Sequence, residues 1–488
     1  MPKPVDLLEL GAYRWLTAGV ALLLVIFTVE QVPIARINCW WIDELFSLWA
    51  SDPHLRFGSL FATRIAPDSN PPLYFSALYF ARVVIPHDQT AIYVLNLAGL
   101  AGAVVAVISI SARTSMLPQG LLGAGLFLLS GPVLRYIPEA RSYLLAIALV
   151  FVVSWYTGTL IVQRQWQPSL LLPVFLGAGA ALTHLFAALA CGVLAAGMLY
   201  VAIVHAHRHL AGQSIVLGLT ASIVSAAWVG SAGAPTGNIG WIEFSPTALR
   251  VAVWELKELA FGSRIGLLAF AGLLALGLFH RTTRTLASAF CLAFLLFAAL
   301  PLIVSLKTPI VAGRYWMIGM PMAIALPAFL AGAWYQEPEL SLRWSWPMAG
   351  LLLAVLFFLS SSIGGFAAAH RFTAAKPCWK GANIVAPLVK SCPAGSVRVI
   401  GATSLYGLAA KLPPTLFVDA NGGNVAATEI NPSACPVIAW VEHVDRGDDY
   451  VDRVSDDELL RDLRLIGPAR LYEIRRHGSG YVVIRRTG

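Results

Sequence analysis

The chain is written in long apolar runs separated by short polar ones. A helix that crosses a bilayer needs roughly 20 mostly apolar residues. About eleven runs approach that length: 14–32, 91–112, 119–137, 142–162, 169–185, 187–204, 214–232, 264–280, 286–305, 315–333 and 347–366. Short polar connectors at 113–119, 163–168, 205–213, 280–284 and 334–346 join most of them, and each carries Lys, Arg or His. Cationic connectors belong on the cytoplasmic side. Placing them all there gives a consistent alternation, with residues 33–90 and the C-terminal tail on the other side. That side also carries cations, among them Arg36, Arg56, Arg64, Arg141, Lys257 and Arg314, so charge alone does not fix the orientation.

One apolar run, 73–85, is too short to span and follows Pro71-Pro72. It predicts a juxtamembrane or re-entrant helix within the first outer loop, 33–90. The first run is long and lacks a small-residue cleavage site, so it reads as a membrane helix rather than a removable signal. From about residue 369 the pattern changes. Strand-like runs lie at 397–400, 415–418, 437–441 and 481–484, a hairpin turns at 477–480, and 456–465 reads as a helix. The expected fold is an all-α polytopic membrane bundle over 1–368, with a small α/β soluble domain over 369–488.

Composition agrees with this division. Of 488 residues, 58% are hydrophobic and 12% charged, and mean hydropathy is +0.71. Soluble domains carry about 25% charged residues. The net charge of +8 does not point to nucleic acid, because the cations are scattered through loops and form no basic run. Anionic lipid headgroups or a phosphate-bearing substrate account for the excess better. Cys39, Cys191 and Cys291 sit in or beside apolar runs, as packing thiols do. Cys378, Cys392 and Cys435 lie in the tail. No CxxC occurs, so a zinc site is not expected. A tail outside the cytoplasm would allow one disulfide among these three, with the pairing open.

A charge at bilayer depth costs at least about 2.5–3.5 kcal/mol, so charges beside apolar runs need reasons. In 39–49, Asp43, Glu44 and Ser47 share one helical side while Trp41, Leu45, Leu48 and Trp49 cover the rest. That pattern predicts an amphipathic helix in the membrane interface, with Asp43 either facing water or serving as a general base. Asp68, before Pro71-Pro72, could hold an acceptor hydroxyl or cap the helix that follows. In Pro138-Glu139-Ala140-Arg141-Ser142-Tyr143 a membrane helix begins, and Arg141 opposes its dipole. A phosphate at that helix start would relieve both the cation and the unpaired N–H groups. An Arg141–Glu139 contact, or a contact of Arg141 with a lipid headgroup, is the plainer alternative. Arg314, with Lys307 a few residues earlier, repeats the geometry at another helix start. His184 follows Thr183 at a helix end, where packing is commoner than ligand binding. His205, His207 and His209 fall in a connector and read as interfacial charge.

Taken in order, these stretches resemble the GT-C glycosyltransferase superfamily. The nearest branch is that of dolichyl-phosphate-mannose protein mannosyltransferases and bacterial lipid A aminoarabinose or galacturonate transferases. Asp43-Glu44 match its acidic pair after the first helix. Residues 68–74 match its D-x-H-P-P-L-Y stretch, with Asn70 in place of the His. Glu139, Arg141 and Tyr143 match E-A-R-x-Y. Thr183-His184 and Arg314-Tyr315, with Pro321 after them, match two later stretches. The tail has no counterpart placed by these motifs.

The resemblance implies an active site on the outer face of the membrane; the compact size and divergent tail point to a bacterial inner membrane, with the active site and tail periplasmic. The donor would be a single sugar on polyprenyl phosphate, transferred with inversion to a glycolipid, lipopolysaccharide or protein hydroxyl. No cofactor or metal is expected to be required. The resemblance implies Asp43, with Glu44, in catalysis and Arg141 and Arg314 on the donor phosphate; Lys307 and Arg64 are further candidate cations for it. Asp68, Glu139, Tyr143 and His184 are expected around the acceptor. A polytopic transporter or lipid flippase is the alternative; it predicts paired charges at mid-membrane in broken helices.

Overall fold

The computed structural model describes residues 40–231, 244–335, 345–374, 381–389, 392–399, 403–410, 412–419, 435–442, 454–463, 472–477 and 480–485. The expected first membrane helix, 14–32, lies outside them. The chain divides into two compact units: one holds Pro53–Thr373, and the other joins Asn38–Asp52 to Ala374–Gly488.

The first unit is a bundle of apolar helices. Seven described helices are long and apolar enough to cross a membrane: Asp88–Arg113, Tyr143–Val162, Leu185–Val204, Arg208–Ser231, Arg284–Ser305, Gly313–Ala333 and Leu352–Ala374. The protein is a multi-pass membrane protein. Leu117–Leu128 and Leu171–Thr183 are shorter than their apolar runs suggested. The first gives way to Gly131–Tyr136 after a turn at Leu129 and Ser130. The second stops at His184, whose extended backbone (φ −163°, ψ 138°) breaks the helix before Leu185–Val204. Of the about eleven expected spans, the described residues hold seven full-length helices, or eight with one bent pair. Hydropathy marks apolar length but not the turns inside it. The short run after Pro71-Pro72 forms the helix Leu73–Val84, as expected.

The bent pair includes a helix that hydropathy missed. Pro246–Phe261 carries Arg250, Glu255, Lys257 and Glu258 and is too charged to register as a span. Its start is nonetheless legible: Ser245 accepts a hydrogen bond from the Ala248 N–H, and Pro246 occupies the first turn. Gly262, at φ +70°, ends it in the left-handed conformation that glycine adopts without strain. Ser263 then caps Arg264–Phe279 through the Ile265 and Gly266 N–H groups, and the two axes meet at 76°.

The bundle interior is apolar and aromatic, with Phe127 stacked on Phe151 at 4.1 Å and Trp155 on Phe329 at 4.3 Å. Lipid offers no hydrophobic drive between helices, so polar ties matter more. Trp155 Nε1 donates to Ser111 Oγ at 2.8 Å, and Ser214 Oγ to the Ala195 carbonyl at 2.6 Å. Outside, Phe175, Ile203, Leu268 and Phe279 stand exposed, as lipid-facing side chains do.

The second unit is a five-stranded sheet in the order β2-β1-β3-β5-β4. The strands are β1 (Val397–Val399), β2 (Phe417–Asp419), β3 (Val437–Glu442), β4 (Tyr472–His477) and β5 (Gly480–Arg485). β1 runs parallel to β2 and β3; β3–β5 and β5–β4 are antiparallel. The expected strands and hairpin are present, and Asp456–Asp462 supplies the expected helix. Helices Gly381–Leu388 and Thr403–Ala410 were not anticipated. One sheet face packs Val397, Val399, Trp440, Val482 and Ile484 against them; the other packs Ala439, Val441, Tyr481 and Val483 on Leu459, Leu460 and Leu463. A register shift between Val437 and Ala439 lets Val437 share a face with Trp440. A disulfide joins Cys392 to Cys435.

The helix Ile42–Ala50 belongs to this second unit, and Leu45 is fully buried in its core beside Val397, Tyr406 and Trp440. Glu44 and Ser47, expected on a water-facing side, are also fully buried. A hydrophobic period shows that a helix has an apolar side, not which partner covers it.

Candidate functional site

In the first unit the stretch Pro138–Tyr143 is a turn pinned through its carbonyls. Asn96 Nδ2 donates to the carbonyls of Ile137 (2.9 Å) and Glu139 (3.0 Å). Gln89 Nε2 reaches the Pro138 carbonyl at 3.3 Å, and the Tyr74 hydroxyl the Glu139 carbonyl at 3.5 Å. Asn96, a buried amide inside an apolar span, was a signal that hydropathy reading passed over. The Glu139 carboxylate, only 2% exposed, pairs with Arg135 at 3.0 Å, and Arg135 also donates to Thr373 Oγ1 at 2.9 Å. Arg135, one helical turn before Glu139, is thus an ion-pair partner of this carboxylate.

The pinned turn delivers Arg141 just ahead of Tyr143–Val162. Its guanidinium lies 5.6 Å from the Tyr143 ring centre. Arg314, in Gly313–Trp316, lies 5.6 Å from the Tyr315 ring centre. The two tyrosine rings lie 6.3 Å apart, tilted to each other, and His184 forms the third corner of a triangle, 5.6 Å from Tyr143 and 5.5 Å from Tyr315. Phe186 stacks on Tyr315 at 4.9 Å. Two arginines far apart in sequence therefore flank one aromatic cluster, each at the start of a membrane helix. Backbone N–H groups at such starts favour anions, and aromatic faces attract the cations set over them.

His184 has a local duty. Its Nδ1 accepts the Phe186 N–H at 3.1 Å and caps Leu185–Val204. With Nδ1 accepting, Nε2 is the donor.

Asp68 is 6% exposed. Asn70 Nδ2 donates to both its oxygens, at 3.3 and 3.1 Å. Burial pushes the carboxyl above its ordinary value, against the pull of the Asn70 hydrogen bond and the Arg141 charge. Asn70, where the resemblance expected His, is thus a hydrogen-bond partner of Asp68. Arg64 lies half-buried in the π-helical turn Phe61–Ile65. Lys307 is exposed at the end of Arg284–Ser305, and its side chain forms no ion pair or hydrogen bond among the described residues.

Asp43 and Glu44 are in the second unit. Glu44 accepts the Trp41 N–H at 3.3 Å, and Ser47 Oγ donates to the Asp43 carbonyl at 3.0 Å. His205, His207 and His209 each engage a neighbour: Thr285 Oγ1, the Leu210 N–H and Gln213 Nε2. Among the described residues no group of three His, Cys, Asp or Glu could hold a metal ion.

Sequence reading also missed Glu255. A methyl at Gly313 would overlap its carboxylate, so the absent side chain at Gly313 is what admits Glu255 beside Arg314. Arg135, Arg314 and Glu139 are its charged neighbours.

No protein-family model matches the sequence, and no curated protein matches it. Structure is more informative. ArnT from Cupriavidus metallidurans bound to undecaprenyl phosphate superposes with a TM-score of 0.56 at 12% identity, over 96% of this chain and 98% of that one. Its apo structure gives 0.55 at 11% identity, over the same shares. The chain has the GT-C fold. The GT-C match leaves 4% of this chain uncovered, too little to omit the C-terminal unit. The tail, which motifs left without a counterpart, is therefore included in the likeness.

Proposed function

We propose that the protein is a membrane glycosyltransferase. It moves a single sugar from a polyprenyl-phosphate carrier to a hydroxyl on a glycolipid, lipopolysaccharide or protein, with inversion at the anomeric carbon. The observation that carries this reading is Arg141 and Arg314 flanking one aromatic cluster at two membrane-helix starts. The fold is shared with ArnT, whose structure was determined with undecaprenyl phosphate.

In this reading the donor phosphate lies against the two guanidiniums, with Arg64 and Lys307 as the remaining candidate cations. A base takes the acceptor proton, and Asp43, beside Glu44, is assigned that role by the resemblance. The new bond forms between the acceptor oxygen and the anomeric carbon, while the bond from that carbon to the phosphate oxygen breaks. Its electron pair stays on the phosphate. Fixed arginines stabilise this departing charge in a partly dry site, where such interactions far exceed their strength in water. Asp68, Tyr143 and the His184 Nε2–H are candidates for orienting the acceptor or the sugar. Glu139, taken up by Arg135, positions the turn that carries Arg141. The active face and the tail are periplasmic and the membrane is the bacterial inner membrane in this proposal.

Purified full-length protein given radiolabelled polyprenyl-phosphate sugar and envelope lipids tests the reading. Label should pass to an acceptor as polyprenyl phosphate is released. Label that stays on its carrier but crosses proteoliposome membranes would replace the transferase with a flippase.

A further inference from the structure

Glu255 is a carboxylate in what should be an anion site. Its helix, Pro246–Phe261, brings it against the Gly313 backbone, one residue ahead of Arg314, where an added methyl would overlap its carboxylate. Arg135 already has Glu139 at 3.0 Å as its ion-pair partner. Glu255 is therefore not needed to complete that pair. It adds a negative charge on the Arg314 side of the aromatic cluster, with Arg135, Arg314 and Glu139 around it.

A carboxylate beside a phosphate-binding arginine weakens anion binding, and the penalty grows with ligand charge. That matters because the proposed reaction changes the charge of the ligand. The donor is a phosphodiester carrying one negative charge. When the bond from the anomeric carbon to oxygen breaks, the phosphate keeps the electron pair and the acceptor proton goes to the base. The product is a monoester, whose second ionisation lies near pH 6. At neutral pH the product therefore carries nearly two charges, and the same arginines would hold it more tightly than the donor. An enzyme with only cations at this site would be inhibited by its own product.

Resting on the transferase reading, we infer that Glu255 is a positioning residue for product release: it tempers the Arg314 side of the site, so that a singly charged phosphodiester is retained and a doubly charged monoester is let go. The ligand class it discriminates is defined by phosphate charge, not by the sugar.

The test compares wild type, Glu255→Gln and Glu255→Asp as full-length protein in detergent or nanodiscs. Inhibition by added polyprenyl phosphate is measured against KM for the polyprenyl-phosphate sugar, at pH 5.5 and pH 8. At an effective dielectric near 20 and a separation of roughly 10 Å, one charge pair changes binding by about tenfold. Glu255→Gln should bind polyprenyl phosphate about tenfold more tightly at pH 8 relative to the donor, with a smaller change at pH 5.5. Its kcat should fall as release slows, and Glu255→Asp should restore the wild-type ratio. A merely structural carboxylate would shift donor and product together at both pH values, and that result overturns the inference while leaving the transferase intact. Wild type that transfers no sugar overturns the function, and the inference falls with it. Should Glu255→Gln not fold, the charge-free Glu255→Ala is read in its place: polyprenyl phosphate held more tightly relative to the donor, chiefly at pH 8, supports the role, and a ratio equal to wild type at both pH values removes it.

Discussion

If Arg141 and Arg314 hold one phosphate, their contributions must be coupled. Each guanidinium lies 5.6 Å from a ring centre of the same Tyr143–Tyr315 pair, whose centres are 6.3 Å apart. An anion in contact with both would sit at about 4 Å from each charge. At an effective dielectric near 20 that contact is worth about 4 kcal/mol, or close to a thousandfold in kcat/KM for the donor. Arg141→Ala and Arg314→Ala should each lose about that factor. The double variant should lose far less than a millionfold, because once one arginine is gone the phosphate is misplaced for the other. Contacting groups show coupling of about 0.5–3 kcal/mol. The assay is donor-dependent transfer at saturating acceptor, in a double-mutant cycle with membrane insertion checked by detergent-solubilised yield. Losses that add within about 0.5 kcal/mol would mean the arginines serve separate ligands. A defect confined to acceptor KM would remove the phosphate assignment altogether.

Three further outcomes are expected. Asp43→Asn should fold and reach the membrane yet lose about 10²–10⁴-fold in turnover, as loss of a general base does; near-normal transfer would take Asp43 out of the mechanism. Asp68 is held above its ordinary pKa of 3.8 by burial, so the folded protein binds this proton more readily than the unfolded chain. Its contribution to stability is full below pH 3.8 and fades as pH rises through the raised value. Asp68→Asn should lack that decline in thermal-melting curves, whereas a stability that climbs with pH through this residue would reverse the argument. Replacing Cys392 and Cys435 with Ser opens a covalent loop closed across 43 residues. The chain-entropy relation puts the loss near 4 kcal/mol. Proteolysis should then cut the C-terminal unit first, and equal protection with and without reductant would show that the disulfide contributes little.

The apolar runs, the short helix after Pro71-Pro72 and the strands of the tail were legible because each is a local, repeating pattern. The period of hydrophobic positions follows from backbone geometry, and the length of a run follows from bilayer thickness. The Pro138–Tyr143 and Arg314-Tyr315 stretches were legible for a related reason: a charge next to an apolar span is costly and marks itself. What no local pattern holds is the choice of partner. That Arg141 and Arg314 flank one cluster depends on how helices pack across more than a hundred residues of chain. Glu255 was missed because its helix is too charged to look membranous, and its nearness to Arg314 rests on a missing side chain at Gly313. The short helix carrying Asp43 showed its apolar side in the sequence, yet only the folded chain made the C-terminal sheet unit its home. Burial is written along the chain one residue at a time, whereas a site is made by pairs of surfaces, and pairing is settled only when the helices have found each other.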